Sequence, residues 1–293
     1  MNDSSTPDTP TAPALADKAR AFRSLHDDAR RHGAPLALPN AWDTASARII
    51  EEAGAPAIAT TSAGAAWSLG LPDGDRLGRD RALDLVARIA AAVTAPVTAD
   101  IETGYGHGPK DVAETVRAVV AAGAAGVNIE DATHGGPAPL RPAREQADRL
   151  AAARRAADAA GVPLFLNARI DTYLSAAGED AEARLKETLE RASVYVEAGA
   201  DGIFVPGVVD PATVRALAAG IPVPLNVMAG PGAPSVAELG ALGAARVSVG
   251  SGIAQAVHAL VRGAAREILT AGTYGTLAGG LDYGELNTLL GRG

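Results

Sequence analysis

The sequence predicts a single (β/α)8 barrel. Three observations predict it. Eight short apolar stretches recur along the chain, at 36–40, 57–61, 97–102, 126–130, 163–170, 202–206, 222–227 and 246–249. Each is followed by a stretch with helical spacing. No linker-like segment divides them, and eight strand–helix units in roughly 250 residues match a closed parallel barrel. A doubly wound open sheet is the competitor, but no G-x-G-x-x-G opens a helix after the first strand.

In chain order, residues 18–32 have helical spacing and stop at Gly33-Ala34-Pro35. After the strand at 36–40, a helix at 42–53 can be capped by Asp43 or Thr44. Gly54-Ala55-Pro56 breaks the chain before the strand at 57–61. A long loop, 62–78, carries Gly64, Gly70, Pro72 and Asp73. Helices are expected at 79–93, 110–122, 144–160, 181–198, 211–219, 236–242 and 252–271. Gly-Ala pairs enter several of the strands, as at Gly123-Ala124, Gly199-Ala200 and Gly243-Ala244. Residues 277–290 form an extra helix after the eighth unit. Residues 1–16 are rich in Ser, Thr, Pro and Asp and read as a disordered tail, so 17–293 is one domain.

Composition narrows the function. The formal charge is −8, from 26 basic and 34 acidic residues, which argues against nucleic acid or an anionic membrane as partner. There is no cysteine, so disulfides, zinc–thiolate sites and cysteine nucleophiles are excluded. No apolar run approaches the about 20 residues of a membrane helix. The N-terminus lacks the basic and apolar regions of a signal peptide, and a cytoplasmic location is expected. Aromatics are only 3%, so the core is built from small aliphatic side chains.

The chemistry is read from the strand ends, because barrel enzymes work at the C-terminal face. The stretch from Pro96 to Gly106 is a strand running into a glycine turn. Asp100 and Glu102 lie on one face of it. Two carboxylates so placed suit a hard divalent ion that keeps several waters; the bland alternative is a pair of solvated surface acids. Other strand ends add Thr60-Thr61-Ser62, Asn128, Glu130-Asp131, Asn167, Arg169, Asp171 and Asn226. Three or more carboxylates, one Arg and several amides around one mouth suggest an anionic, oxygen-rich substrate bound through Mg²⁺. Arg169 supplies a fork for a carboxylate or phosphonate. Small residues at Ala63 and Gly64 leave room for backbone N–H groups to cradle the other end of the substrate.

The chain resembles the isocitrate lyase/phosphoenolpyruvate mutase superfamily from about Leu38 to the C-terminal tail. The residues that carry the resemblance are Thr61-Ser62-Ala63-Gly64, Ser68-Leu69-Gly70-Leu71-Pro72-Asp73 and Asp100-Ile101-Glu102-Thr103-Gly104-Tyr105-Gly106. Asn128-Ile129-Glu130-Asp131 and Asn167-Ala168-Arg169-Ile170-Asp171 complete it. The resemblance implies a barrel whose last helix swaps between subunits, usually in a tetramer built from dimers. It implies Mg²⁺, with Mn²⁺ as a substitute, and a small anionic carboxylate as substrate. By position, it makes Asp100 the direct metal ligand, and Glu102, Glu130 and Asp73 the acids that hold the metal's waters. Ser62, Ala63 and Gly64 match the stretch that binds the substrate carboxylate. Arg169 matches the arginine that stabilises developing charge, and Asn226 a substrate-binding amide.

Two departures shape the expectation. Lyases of the superfamily carry a Lys-Lys/Arg-Cys-Gly-His loop after strand four; here that region is Asp131-Ala132-Thr133-His134-Gly135-Gly136-Pro137. They also carry a Glu near the end of strand six, where this chain has Val205-Pro206-Gly207. His134 is then the candidate acid/base in place of the missing cysteine, against the alternative of a solvated loop residue. His107 is an equal or weaker candidate. The Asn-Ser-Leu-type element of the mutases is not found. The expected function is a Mg²⁺-dependent carbon–carbon lyase or decarboxylase of a small 2-oxo or 2-hydroxy acid. The alternatives are phosphonopyruvate-type chemistry and a barrel that binds a dicarboxylate without turnover.

Overall fold

The computed structural model describes residues 12–136, 138–175 and 180–291. The strands are β1 (Leu36–Leu38), β2 (Asn40–Ala41), β3 (Ile58–Thr60), β4 (Val97–Asp100) and β5 (Gly126–Glu130). They continue as β6 (Phe165–Arg169), β7 (Gly202–Val205), β8 (Leu225–Met228) and β9 (Arg246–Ser248). All pair in parallel, in the order β1-β9-β8-β7-β6-β5-β4-β3-β2. β1 and β2 are the two halves of the expected first strand. Pro39 between them has no N–H to give the ladder, and there the strand changes neighbours. β1 pairs with β9 and β2 with β3, so that one strand closes an eight-position ring. Buried Asn40 stitches the seam: its Nδ2 donates to the Thr60 carbonyl (2.9 Å). Its Oδ1 accepts from the amides of Val249 (3.1 Å) and Gly250 (2.9 Å).

The helices are α1 (Ala12–His32), α2 (Thr44–Glu52), α3 (Ser62–Ser68), α4 (Arg79–Ala92), α5 (Pro109–Ala121) and α6 (Ala143–Ala159). Then come α7 (Thr172–Ser175), α8 (Ala181–Glu197), α9 (Pro211–Gly220), α10 (Val236–Ala241), α11 (Gly252–Thr270) and α12 (Tyr283–Leu290). The long loop expected at 62–78 begins with the short α3. The extra helix expected at 277–290 starts only at Tyr283, where the Asp282 side chain accepts from the amides of Gly284 and Glu285. Most of the expected tail lies outside the described residues, but 12–16 are helical, with Leu15 and Ala16 buried. No described helix is long and apolar enough to cross a membrane.

α1 seals the barrel floor. Leu15, Ala19, Phe22, His26 and Ala29 are all buried, at the 4-3-4-3 spacing of one helix face. Phe22 meets Phe165 edge-on, and the His26 ring stacks on Phe165 with centroids 3.9 Å apart. Burial, with help from the nearby Arg246 charge, lowers the His26 pKa from 6.5 to about 3. The folded chain therefore keeps His26 neutral where the unfolded chain takes up a proton. Stability is complete above pH 6.5 and is lost as the pH falls from there toward 3, with a ceiling of about 5 kcal/mol. Urea melts at pH 7.5 and 4.5 are expected to show this loss, and His26→Phe, which keeps the stack, to shrink it.

α11 behaves differently from the other barrel helices. Only Ala254 and Ala264 along it are buried, while Ile253, Val257, Leu260, Val261, Ile268 and Leu269 are exposed. α12 instead packs on α2, where the Arg48 guanidinium donates to the Leu289 carbonyl (3.0 Å).

Candidate active site

β4 brings Asp100 to the mouth of the barrel, and the end of β3 holds it there. The Asp100 amide donates to Thr60 Oγ1 (2.8 Å). Its Oδ2 accepts from the Ser62 hydroxyl (2.9 Å) and amide (3.2 Å), and its Oδ1 from the Glu102 amide (3.3 Å). Asp100 remains half-buried, with a face toward the mouth.

The turn after β4 is strained. Glu102 and Tyr105 have φ of 50° and 52°, and Gly104 between them 90°. The other described non-glycine residues at positive φ are Asp75 (58°) and His134 (34°). All four stand at the mouth, where such strain persists only if the surroundings hold it. They are held by one another. Glu102, 2% exposed, accepts from the Asp75 amide and from the Tyr105 hydroxyl (3.0 Å). Asp75 accepts from the Thr103 hydroxyl (2.5 Å). From behind, Arg149 donates to the carbonyls of Thr103 and Gly106. Burial, and the charges of Asp100, Asp75 and Asp73, push the Glu102 carboxyl up to about 7.

Across the mouth, Arg169 at the end of β6 joins two acids. It grips Asp171 with Nε (2.6 Å) and Nη2 (2.8 Å), and pairs with Glu130 Oε2 through Nη1 (2.7 Å). Burial works against its charge, but Glu130 and Asp171 prevail and raise its pKa. The other Glu130 oxygen meets His134 Nε2 at 2.5 Å. Burial raises the Glu130 pKa, with Arg169 and His134 opposing. That hydrogen bond raises the pKa of His134 to about 9, so it is protonated at neutral pH. Asp131, fully buried, ties the base of this loop to α8 through Tyr195 (2.8 Å) and Arg191 (3.1 Å), and to the Asp171 amide (3.0 Å).

The expected residues fall into three groups. Asp100, Glu102, Glu130, Arg169 and His134 surround one mouth, close enough for their charges to act on one another. Asp73 is exposed on the β3–α4 loop and reaches the cluster only through its charge; Asp75, two residues on, makes the hydrogen bonds. Ser62, Ala63 and Gly64 form the first turn of α3, whose amides lack carbonyls in their own helix. The Ser62 amide is spent on Asp100. Gly64 is small for packing: a Cβ there would lie 2.8 Å from the Trp42 Cβ. Asn226 is buried inside the barrel on β8.

The donor set fits a hard cation held largely through water. Among the described residues, no three His, Cys, Asp or Glu side chains are placed to hold a metal by themselves. Glu102 and Glu130 are buried, 2% and 3% exposed, whereas Asp100 is only half-buried, which leaves it as the acid open to direct ligation. One or two carboxylates plus several waters is the usual Mg²⁺ arrangement. A cavity of about 950 Å³ opens beside the cluster, between the Gly74–Arg81 segment and Thr103, Tyr105, His107, His134 and Arg141; Asp100 and Arg169 do not line it.

The profile of phosphoenolpyruvate phosphomutase matches residues 22–269. The chain belongs to that family. Within its wider superfamily, an uncharacterized Mycobacterium tuberculosis protein is 39% identical, over 81% of this chain and 86% of that one. The 2-methylisocitrate lyase of Escherichia coli is 35% identical, over 65% of this chain and 64% of the enzyme. Among solved structures, oxaloacetate acetylhydrolase with 3,3-difluorooxalacetate superposes with a TM-score of 0.82 at 26% identity, covering 97% of this chain and 95% of that one. Phosphonopyruvate hydrolase with oxalate and Mg²⁺ gives 0.80 at 27% identity, covering 94% and 95%. The family's relatives are thus lyases, hydrolases and mutases acting on small carboxylates.

Two contributors to the mouth, Asp75 and Arg149, and Arg246 in the barrel interior were missed by reading the sequence. Asp75 lies in a glycine-rich loop with no periodicity to orient it. Arg149 sits on α6, where a basic residue reads as a solvated face. Arg246 opens β9 and looks like a strand-start charge. No local signal marks any of them; their partners are 27 or more residues away, except the Arg246 contact to Ser248.

Proposed function

We propose that the protein is a Mg²⁺-dependent carbon–carbon lyase or decarboxylase of a small 2-oxo or 2-hydroxy carboxylic acid. One observation carries this reading: Glu130 holds His134 with one oxygen and Arg169 with the other, at the mouth where Asp100 also stands. Asp100 would bind the metal directly, with Glu102, Glu130 and Asp73 around its waters. When bound, Mg²⁺ supplies Lewis-acid stabilisation of negative charge on the substrate oxygens. The chain's own residues do the rest. The first turn of α3 orients one carboxylate, and Arg169, fixed by two acids, stabilises oxyanion charge as the carbon–carbon bond breaks. For a 2-oxo acid that loses CO2, a cleavage that needs no prior proton removal, His134, anchored through Nε2, would donate its Nδ1 proton to the carbon that keeps the bond's electron pair. Its pKa near 9 makes it an acid, not a base, at neutral pH.

The test is pyruvate release from oxaloacetate, 2-methylisocitrate, 2,3-dimethylmalate and phosphonopyruvate, with Mg²⁺ or EDTA. EDTA-sensitive release from a carbon–carbon substrate supports the reading. Release from phosphonopyruvate alone moves the assignment to phosphorus–carbon chemistry. Tight oxalate binding with no turnover leaves a binding protein.

The uncovered apolar face of α11 supports a homo-oligomer in which this helix is exchanged between subunits. Light scattering is expected to give a mass several times the 29.4 kDa of one chain. Leu260→Glu with Val261→Glu is expected to lower it.

A further inference from the structure

A barrel helix turns apolar side chains to its strands, and α6 does so with Leu150, Ala153 and Ala157. Two polar residues share that buried face. Gln146 and Arg149, three positions apart, are both 0% exposed. Burying a guanidinium costs free energy unless hydrogen bonds replace its water. Those of Arg149 go to the turn after β4: Nη1 donates to the Gly106 carbonyl (3.1 Å) and Nη2 to the Thr103 carbonyl. Gln146 Nε2 donates to the Glu130 carbonyl at the end of β5 (3.0 Å). One helix thus grips both strand ends that carry the mouth glutamates.

A backbone carbonyl turned away from water needs a donor. In the β4 turn, the Ile101 carbonyl accepts from the Gly104 amide (2.7 Å) and the Glu102 carbonyl from the Glu130 amide (2.9 Å). The Gly104 carbonyl accepts from the Thr115 hydroxyl (2.8 Å). The Thr103 and Gly106 carbonyls have Arg149. They bracket Gly104 and Tyr105, with φ of 90° and 52°, and Glu102 at 50° comes just before. A left-handed backbone at Glu and Tyr persists only where its surroundings fix it. The same turn touches Asp100, whose Oδ1 accepts from the Glu102 amide (3.3 Å). A line of contacts therefore runs from Arg149 through the turn to Glu102 and Asp100.

We propose that Arg149 is the positioning residue of the metal site: it locks the β4 turn in the left-handed form that presents Asp100 and Glu102 to a divalent cation and its waters. This rests on the Mg²⁺ reading above and deepens it, by placing a determinant of metal affinity on a helix behind the barrel wall. Lysine is a poor substitute there, since a single ammonium lacks the fork that serves two carbonyls.

Two measurements test it. In the first, Mg²⁺ is titrated by calorimetry into the native chain, Arg149→Met, Arg149→Lys and Arg154→Met. Arg154, further along α6, donates to Asp201 and to the Leu164 carbonyl (2.9 Å), just before β7 and β6. Arg154→Met therefore costs stability without touching the turn. Arg149→Met is expected to lose about 10–100-fold in Mg²⁺ affinity, the usual effect of removing a group that orients metal ligands. Arg149→Lys should lose less, and Arg154→Met should keep the native affinity despite a lower urea midpoint. Native affinity in Arg149→Met, or in Arg149→Lys where the Met variant does not fold, overturns the proposal. An equal loss in Arg154→Met also overturns it, because the effect would then follow stability alone. The second measurement needs no metal. The crystal structure of the folded Arg149 variant is expected to show Glu102 and Tyr105 out of the left-handed region, and an unchanged turn overturns the proposal. The two readings fail separately. A native chain that binds no Mg²⁺, with a turn that relaxes in the variant, keeps Arg149 as the holder of the turn and removes the metal. Mg²⁺ bound equally by native chain and variant keeps the metal and removes Arg149.

Discussion

Asp100→Ala is expected to abolish turnover, with a loss on the order of 10³-fold or more, and to remove Mg²⁺ binding seen by calorimetry. The reason is its position. It is the half-buried acid at the mouth; its carboxylate accepts three hydrogen bonds from Ser62 and Glu102, and its amide donates a fourth to Thr60. Asp100→Asn separates charge from geometry. It keeps the Oδ that Ser62 donates to, and it is expected to lose most of the metal affinity while melting close to the native protein. Metal binding and turnover both retained in Asp100→Ala would remove Asp100 from the site.

Arg169 carries the second large effect, on two measurements at once. Arg169→Ala leaves buried Asp171 without a cation and buried Glu130 with His134 alone, and a loss of about 3–5 kcal/mol in stability is expected. Arg169→Lys keeps the charge but cannot grip Asp171 with two nitrogens and reach Glu130 with a third. It should fold, and should lose about 10²–10³-fold in kcat with a smaller change in KM. An unchanged kcat in Arg169→Lys would mean that the guanidinium only braces the barrel rim. His134 shares Glu130 with Arg169, so the pair is expected to be non-additive with His134→Gln.

The mouth was partly legible in the chain. Asp100 and Glu102 follow from the two-residue period of a strand, and Arg169 and Asp171 from the same rule one strand pair away. The role read for Glu130 was incomplete. Among strand ends it looks like another water-holding acid, whereas both its oxygens are engaged, by Arg169 and His134. The cradle read into Gly64 was also local in its logic. Its missing side chain makes room for Trp42 and Ala254, the latter 190 residues further along the chain. Asp75 displaced Asp73 as the hydrogen-bonding acid of its loop, since its left-handed backbone and the Thr103 partner turn it inward.

By itself, the sequence determined the strand–helix alternation, the eight-unit count and the strand ends at which the acids and Arg169 stand together. These are near-neighbour properties: apolar period, glycine and proline breaks, and which side chains a strand end presents. The tertiary structure decided what closing the ring brings together. It split the first strand at Pro39 and stitched the seam through Asn40. It set a neutral His26 in the floor, clamped the β4 turn from behind with Arg149, and buried Arg246 inside the barrel against Ser248. Those contacts mostly join residues tens to hundreds of positions apart. Their energies depend on burial and on the charges they meet there, neither of which exists until the barrel has formed.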